Sequence, residues 1–256
     1  GFRRHGAEMN LPHPPPPRHA AVRGLAAVVG AASVARHAMH ECGDVVRVVD
    51  RPDGGICAIV ADGQGHGRAA RLIAAMAVGR IKALVAEGAR EDVALIAAND
   101  LLLAHRGGQV SCEASIIAVD LIDGVIRVTR FARASSIIVG DAGGASIGGE
   151  SPPLGIYRGA VPVVDTVAAS ASVACLVASD GARGAGERTG HPLNLAAELA
   201  RVAPAGGDEA ARAIMSAAIA ADEGRPRDDM SVACVTFAAA TRGPLVRRIG
   251  AHWPLG

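Results

Sequence analysis

Aromatic residues are scarce in this 256-residue sequence, which holds one Trp, one Tyr and three Phe. The core therefore has to be filled by Ala, Val, Ile and Leu, mostly small, so backbones must approach closely. Lysine is reduced to Lys82, and Arg carries almost all the positive charge, a composition read as coding bias. The formal net charge is only +1, without the basic stripe of a nucleic-acid binder. Long apolar runs are missing too. The longest uncharged stretches, about Gly24 to Ala35 and Thr166 to Ser179, fall short of the ~18–20 residues that span a bilayer. No C-x-x-C pair occurs among Cys42, Cys57, Cys112, Cys175 and Cys234. Their scatter and odd number argue against a disulfide framework or a thiolate metal site, and point to a reducing cytoplasm. What is present is a hydrophobic fraction of 50% with 20% charged residues of both signs, which excludes a disordered chain. Such a chain buries roughly 70–75% of its unfolded surface.

Residues 1–20, with four consecutive prolines at 14–17, are too polar for a secretory signal and read as an extended, flexible arm. A single domain is expected over 21–240, followed by a loose tail over 241–256. Within the domain, the stretch from Ala21 to Ala35 reads as a strand or a short helix, with Gly30 and the Val pair favouring the strand. Short β-branched runs from Val45 to Val49 and Gly55 to Ala61 flank Asp53-Gly54, a hairpin signal. The second run lacks alternation, as a strand covered on both faces would. Helices are expected over Arg68 to Glu87, with Ile73, Ala77, Ile81 and Leu84 on one face, and over Arg90 to His105, closed by Gly107-Gly108. Strands follow at Ala114 to Ile122 and Val125 to Phe131 around Asp123-Gly124. Further β-type runs lie at Ser135 to Val139, Ser146 to Ile147, Val161 to Val167 and Ser172 to Ala178. Leu193 to Val202 and Asp208 to Ala221 predict helices, and Met230 to Phe237 a last strand. Helices grouped around antiparallel hairpins make an α+β domain.

The chemistry-bearing signals are carboxylates at strand ends. Of four Asp-Gly pairs, Asp53-Gly54 and Asp123-Gly124 need only a hairpin turn to explain them. Asp62-Gly63 and Asp180-Gly181 instead close apolar runs, Asp44 precedes the Val45-Val46 run, and Asp228-Asp229 precede the last strand. Taken singly, each is explained as well by a turn or a solvated loop. Should they converge, each pair at about 4 Å would repel by roughly 4 kcal/mol at an effective dielectric near 20, so cations would have to stand between them. Oxygen-only donors mean Mg²⁺ or Mn²⁺. Gly63-Gln64-Gly65-His66-Gly67 lacks the lysine and spacing of a P-loop. His66 reads equally as an acid or as a surface or capping residue. No G-x-S-x-G nucleophile elbow occurs.

In order along the chain stand Gly43-Asp44, Val60-Ala-Asp62-Gly63-Gln-Gly-His-Gly67, Pro152-Pro-Leu-Gly-Ile156, Ala178-Ser179-Asp180-Gly181 and Arg227-Asp228-Asp229-Met230-Ser231-Val232. This ordered set resembles that of the metal-dependent protein phosphatases (PPM, or PP2C-like) of the bacterial sporulation stage II protein E type, over about residues 25–240. The resemblance implies a four-layer α-β-β-α sandwich holding two Mn²⁺ or Mg²⁺ ions. It implies Asp62 as the bridging ligand, Asp180 and Asp228 on one ion, Asp44 and the Gly63 carbonyl on the other, and Asp229 as an outer-shell or accessory ligand. It also implies that a water between the ions attacks a phosphoserine or phosphothreonine without a covalent phosphoenzyme.

Two departures stand out. The family often continues G-D-x-x-D, where this sequence has Arg47, and its Asn-Ala-Gly-His-type segment is Phe131-Ala-Arg-Ala-Ser-Ser136 here. Arg133 is therefore a candidate substrate contact, as is His66. Relatives dephosphorylate STAS-fold anti-sigma-factor antagonists in partner-switching pathways, so the expected partner is such a phosphoprotein. With no room for a sensor domain, the expected protein is a single-domain cytoplasmic phosphatase taking its input from a separate partner or running unregulated. The alternative expectation is a catalytically degenerate domain that binds a phosphoprotein without turnover.

Overall fold

The computed structural model describes residues 24–120, 123–141 and 143–240. The proline-rich arm, the tail over 241–256 and the last two residues of the run expected to end at Ile122 lie outside them. The chain order is β1 (Leu25–Val34), β2 (Val45–Asp50), β3 (Ile56–Gly63), α1 (Gly67–Ala86), α2 (Glu91–Arg106), β4 (Cys112–Asp120), β5 (Val125–Phe131), β6 (Ser136–Gly140), β7 (Gly143–Ile147), β8 (Val163–Ala168), β9 (Ala174–Ala178), α3 (Asp180–Arg183), α4 (Leu195–Val202), α5 (Gly207–Ala221) and β10 (Met230–Ala239). Two five-stranded antiparallel sheets result, ordered β1-β10-β9-β6-β7 and β2-β3-β4-β5-β8.

Three cores separate four layers. Val45, Ile59, Ile116 and Phe131 face α1 and α2 through Ala74, Ile81, Leu95 and Leu102. On the outer face of the other sheet, Leu176, Val232 and Cys234 meet Leu199, Ile214 and Ala218 of α4 and α5. Between the sheets, Val60, Ile117, Ile126 and Val128 pack on Val177, Ala233, Val235 and Phe237. The unbroken apolar run of β3 is explained at once: Cys57, Ile59 and Ala61 serve the helix-side core while Ala58 and Val60 serve the inter-sheet one.

The buried stripe of α1 is Ala70, Ala74, Ala77, Val78, Ile81 and Val85. Of the expected face, Ala77 and Ile81 are buried and Ile73 and Leu84 pack at its edge, because small residues let the helix settle close to the sheet. The helix α3 was not anticipated. Four residues are too few to show periodicity, and Asp180-Gly181 reads as a turn in sequence.

Candidate active site at one edge of both sheets

Topology gathers the strand-end acids. Antiparallel pairing sets the end of β3 beside the start of β2, with Val45 opposite Ala61, so Asp44 and Asp62 come from one sheet. In the other sheet, Ala178 of β9 lies opposite Val232 of β10, which sets Asp180, the first residue of α3, beside Asp228. By the alternation of β3, Asp62 projects from its inter-sheet face. Glu113 lies directly opposite it on β4 and so shares that face.

Two close approaches fix the loops. A Cβ on Gly63 would fall 2.0 Å from the Ala70 carbonyl oxygen, and one on Gly181 would fall 2.3 Å from that of Asp229. Only glycine permits either contact, so α1 can close on β3 and the Asp180 turn can lie against the Asp228 loop. Asp229 then ties the two sheet ends together. Its carboxylate oxygens accept the backbone N–H groups of Arg36 at 2.9 Å and Gly43 at 2.8 Å. Asp222, equally buried, accepts Gly186 N–H at 2.9 Å and Arg227 N–H at 3.1 Å. The Ser179 hydroxyl accepts Ser231 N–H at 2.9 Å.

The electrostatics of the cluster are those of crowded acids. Asp44 is 2% exposed, and neither of its carboxylate oxygens has a hydrogen-bond partner. Burial pushes its carboxyl above the ordinary range. The nearby Ser179 and Ser231 hydroxyls pull it down, though neither closes a hydrogen bond to it, and Asp229 and Asp180 push it up again. Asp62 is raised further, first by burial, then by the neighbouring carboxylates of Asp44, Asp180 and Asp228. Burial, with Asp180 and Asp229, also raises Asp228, against the Asp229 N–H that donates to it at 2.9 Å. Among the described residues the acids do not close into a ready-made three-ligand cage; they stand as coupled neighbours. A buried, unpartnered Asp44 carboxylate beside half-buried Asp62 and Asp228 and exposed Asp180, all of them oxygen donors, fits hard divalent cations.

Of the other expected site residues, Gly63 is buried at the end of β3. Arg133 lies 3.8 Å from Glu113 and is 76% exposed along its side chain. His66 caps α1 as an exposed residue without a side-chain capping bond. Among the described residues no hydrogen bond joins it to the acids. Sequence reading missed Glu113 and Asp222. Strand pairing would have revealed the first, since β3 and β4 put it opposite Asp62; Asp222 follows a helix and carries no local signal.

Comparison with known proteins settles the lineage. The model of the family described as Stage II sporulation protein E (SpoIIE) matches residues 52–238. The chain belongs to the SpoIIE family. Its fold is that of PP2C phosphatase domains. The SpoIIE phosphatase domain with a fragment of its regulatory domain, from Bacillus subtilis, superposes with a TM-score of 0.74 at 20% identity, over 85% of this chain and 65% of that one. The RsbU and RsbW domains of Rv1364c from Mycobacterium tuberculosis give 0.70 at 20% identity, over 85% and 62%. The PPM Ser-Thr phosphatase MsPP from Mycobacterium smegmatis, in complex with cacodylate, gives 0.64 at 17%, over 82% and 99%. The chain thus spans just under two thirds of the first two structures and nearly all of the third. No curated protein matches it. SpoIIE-type PPM phosphatases are metal-dependent, with Mg²⁺ or Mn²⁺.

Proposed function

We propose that the chain is an active metal-dependent serine/threonine protein phosphatase. The observation that carries this reading is the group of Asp44, Asp62, Asp180 and Asp228 at one edge of both sheets, with the Asp44 oxygens buried and without partners. Asp62 would bridge two cations, Asp180 and Asp228 would hold one, and Asp44 with the Gly63 carbonyl the other. Such ions supply positive charge to the transferring phosphoryl group and make a bound water acidic. Asp229 serves from behind, through the backbone of Gly43 and Arg36, since its oxygens are already engaged there. Arg133 offers the guanidinium that a phosphate oxygen would meet.

A covalent phosphoenzyme has no candidate thiol. Burial, then Asp44 and Asp229, push the Cys42 thiol up to about 12; burial, then Asp62 and Asp44, raise Cys112 as well. Both thiols are therefore poor nucleophiles, and the proposed nucleophile is water. The proposed substrate is a phosphoserine or phosphothreonine on a regulatory protein, with a STAS-fold anti-sigma-factor antagonist as the specific expectation. A reducing cytoplasm suits the five free cysteines. No helix of the described residues is long and apolar enough to cross a membrane.

The test is hydrolysis of p-nitrophenyl phosphate with Mn²⁺, with chelator, and by Asp180→Asn. Turnover should need the metal and fall about 10³-fold or more in the variant. Absence of turnover by the wild type on this ester and on a phosphoserine peptide would instead support the degenerate binding domain.

A further inference from the structure

The segment carrying Arg133 is held on every side except at Arg133 itself. Ala132 N–H donates to the Ser151 hydroxyl at 3.1 Å, and Ser151 N–H to the Ala132 carbonyl at 3.0 Å. The guanidinium of Arg130, 1% exposed along its side chain, reaches the Ala134 carbonyl at 2.8 Å and Asp165 at 3.1 Å. Arg183 donates to the Ser135 carbonyl and, at 3.2 Å, to that of Ala178. The backbone around Arg133 is thus fixed at Ala132, Ala134 and Ser135, while the Arg133 side chain reaches into solvent. Among the described residues its ion-pair partner is Glu113, whose carboxylate lies 3.8 Å from Nε. Glu113 in turn stands on the Asp62 face of β4 and within the field of Asp180.

A carboxylate in this place has two effects on an arriving phosphate. It repels the dianion, and it occupies the cation that the dianion would pair with. We propose that Glu113 restrains substrate binding, pairing with the Arg133 guanidinium and competing with the substrate's phosphate for it. The inference rests on the phosphatase reading above. It makes the phosphomonoester group, rather than the flanking peptide, the feature that Arg133 recognises. Because the ion pair is long and its arginine solvated, exchange of one anion for the other is cheap.

The experiment compares wild type, Glu113→Gln, Arg133→Gln and the double variant on a phosphoserine peptide with Mn²⁺, together with calorimetric affinity for the same peptide. Glu113→Gln should lower KM about three- to fivefold, the scale of a partly exposed ion pair, with kcat moving by less. Arg133→Gln should raise KM, and Glu113→Gln should then have no effect on it. A KM unchanged or raised by Glu113→Gln, or lowered equally without Arg133, overturns the proposal while leaving the phosphatase reading intact. An inactive wild type sinks that reading instead, and the comparison then rests on peptide affinity, which Glu113→Gln must tighten. Should Glu113→Gln fail to fold by thermal melting, Arg133→Gln decides alone: an unchanged peptide affinity overturns the proposal.

Discussion

The two ends of the β2–β3 hairpin bury carboxylates in opposite ways. At the turn end, Glu91 is fully buried in the first turn of α2 and is bonded to Arg51 and, at 3.1 Å, to Arg127, while Arg51 also holds Asp53 at 3.0 Å. Two acids face two guanidiniums there, and the helix dipole adds to the balance. At the other end, Asp44 and Asp62 meet Asp180 and Asp228, and burial with the neighbouring acids raises Asp44, Asp62 and Asp228. Paired charge locks a helix onto a sheet; the unpaired cluster is the proposed cation site. Burial alone does not distinguish structure from function, but the counter-ion does.

The sharpest way to break this contrast is to neutralise one acid at each end. Glu91→Gln leaves Arg51 and Arg127 short of a partner in a buried setting and should cost about 3 kcal/mol of folding stability, read as a lower urea midpoint. Asp62→Asn relieves repulsion, so in chelator at neutral pH it should raise the midpoint. Opposite signs for the same kind of substitution support the division. A loss of stability at both ends would show that the acid cluster is held by interactions of its own.

A smaller effect is expected from pH. The Asp44, Asp62 and Asp228 carboxyls are raised in the folded protein, so the folded state binds protons that the unfolded chain releases. Their contribution to stability is full below the ordinary carboxylate range and is lost as pH rises through their raised values. Without metal, Tm should therefore fall from about pH 4 upward, through Asp44 at about 7 and on toward Asp62 at about 10. With Mn²⁺, which competes with those protons, the fall should be abolished and the gap between the two curves should widen with pH. Parallel curves across that window would mean that the metal does not bind at the acids.

How much of this was readable in the sequence follows from the range of the interactions. The strands and helices were legible because β-branched runs, Asp-Gly turns and helix-stop glycines act within a few residues. The four acids were legible as an ordered set, although convergence depends on a topology that no single motif encodes. Glu113 was invisible because its importance comes from β3–β4 register, and Asp222 because it acts through the backbone N–H groups of Gly186 and Arg227. The α1 face was legible in part: Ala77 and Ile81 lie in the core and Ile73 and Leu84 pack against its edge, while the close approach of Ala70 to Gly63 carried no signal in hydrophobicity.

The mildest perturbation tests whether the two ends are independent. Gly54 closes the β2–β3 turn at φ 91°, and its N–H donates to the Arg51 carbonyl at 3.1 Å. An alanine there must take up a left-handed conformation, which costs about 1 kcal/mol. The turn carries Arg51 and Asp53, so the strain falls on the charge-balanced end. β3 runs from that turn to Asp62 as an eight-residue strand paired on both sides, and its ladder should absorb the shift before it reaches the acids. Gly54→Ala is thus expected to lower the urea midpoint slightly while the Mn²⁺-dependent rate per folded molecule stays at the wild-type value. A tenfold loss of rate would mean that β3 transmits strain along its length, and that the structural end tunes the chemical one.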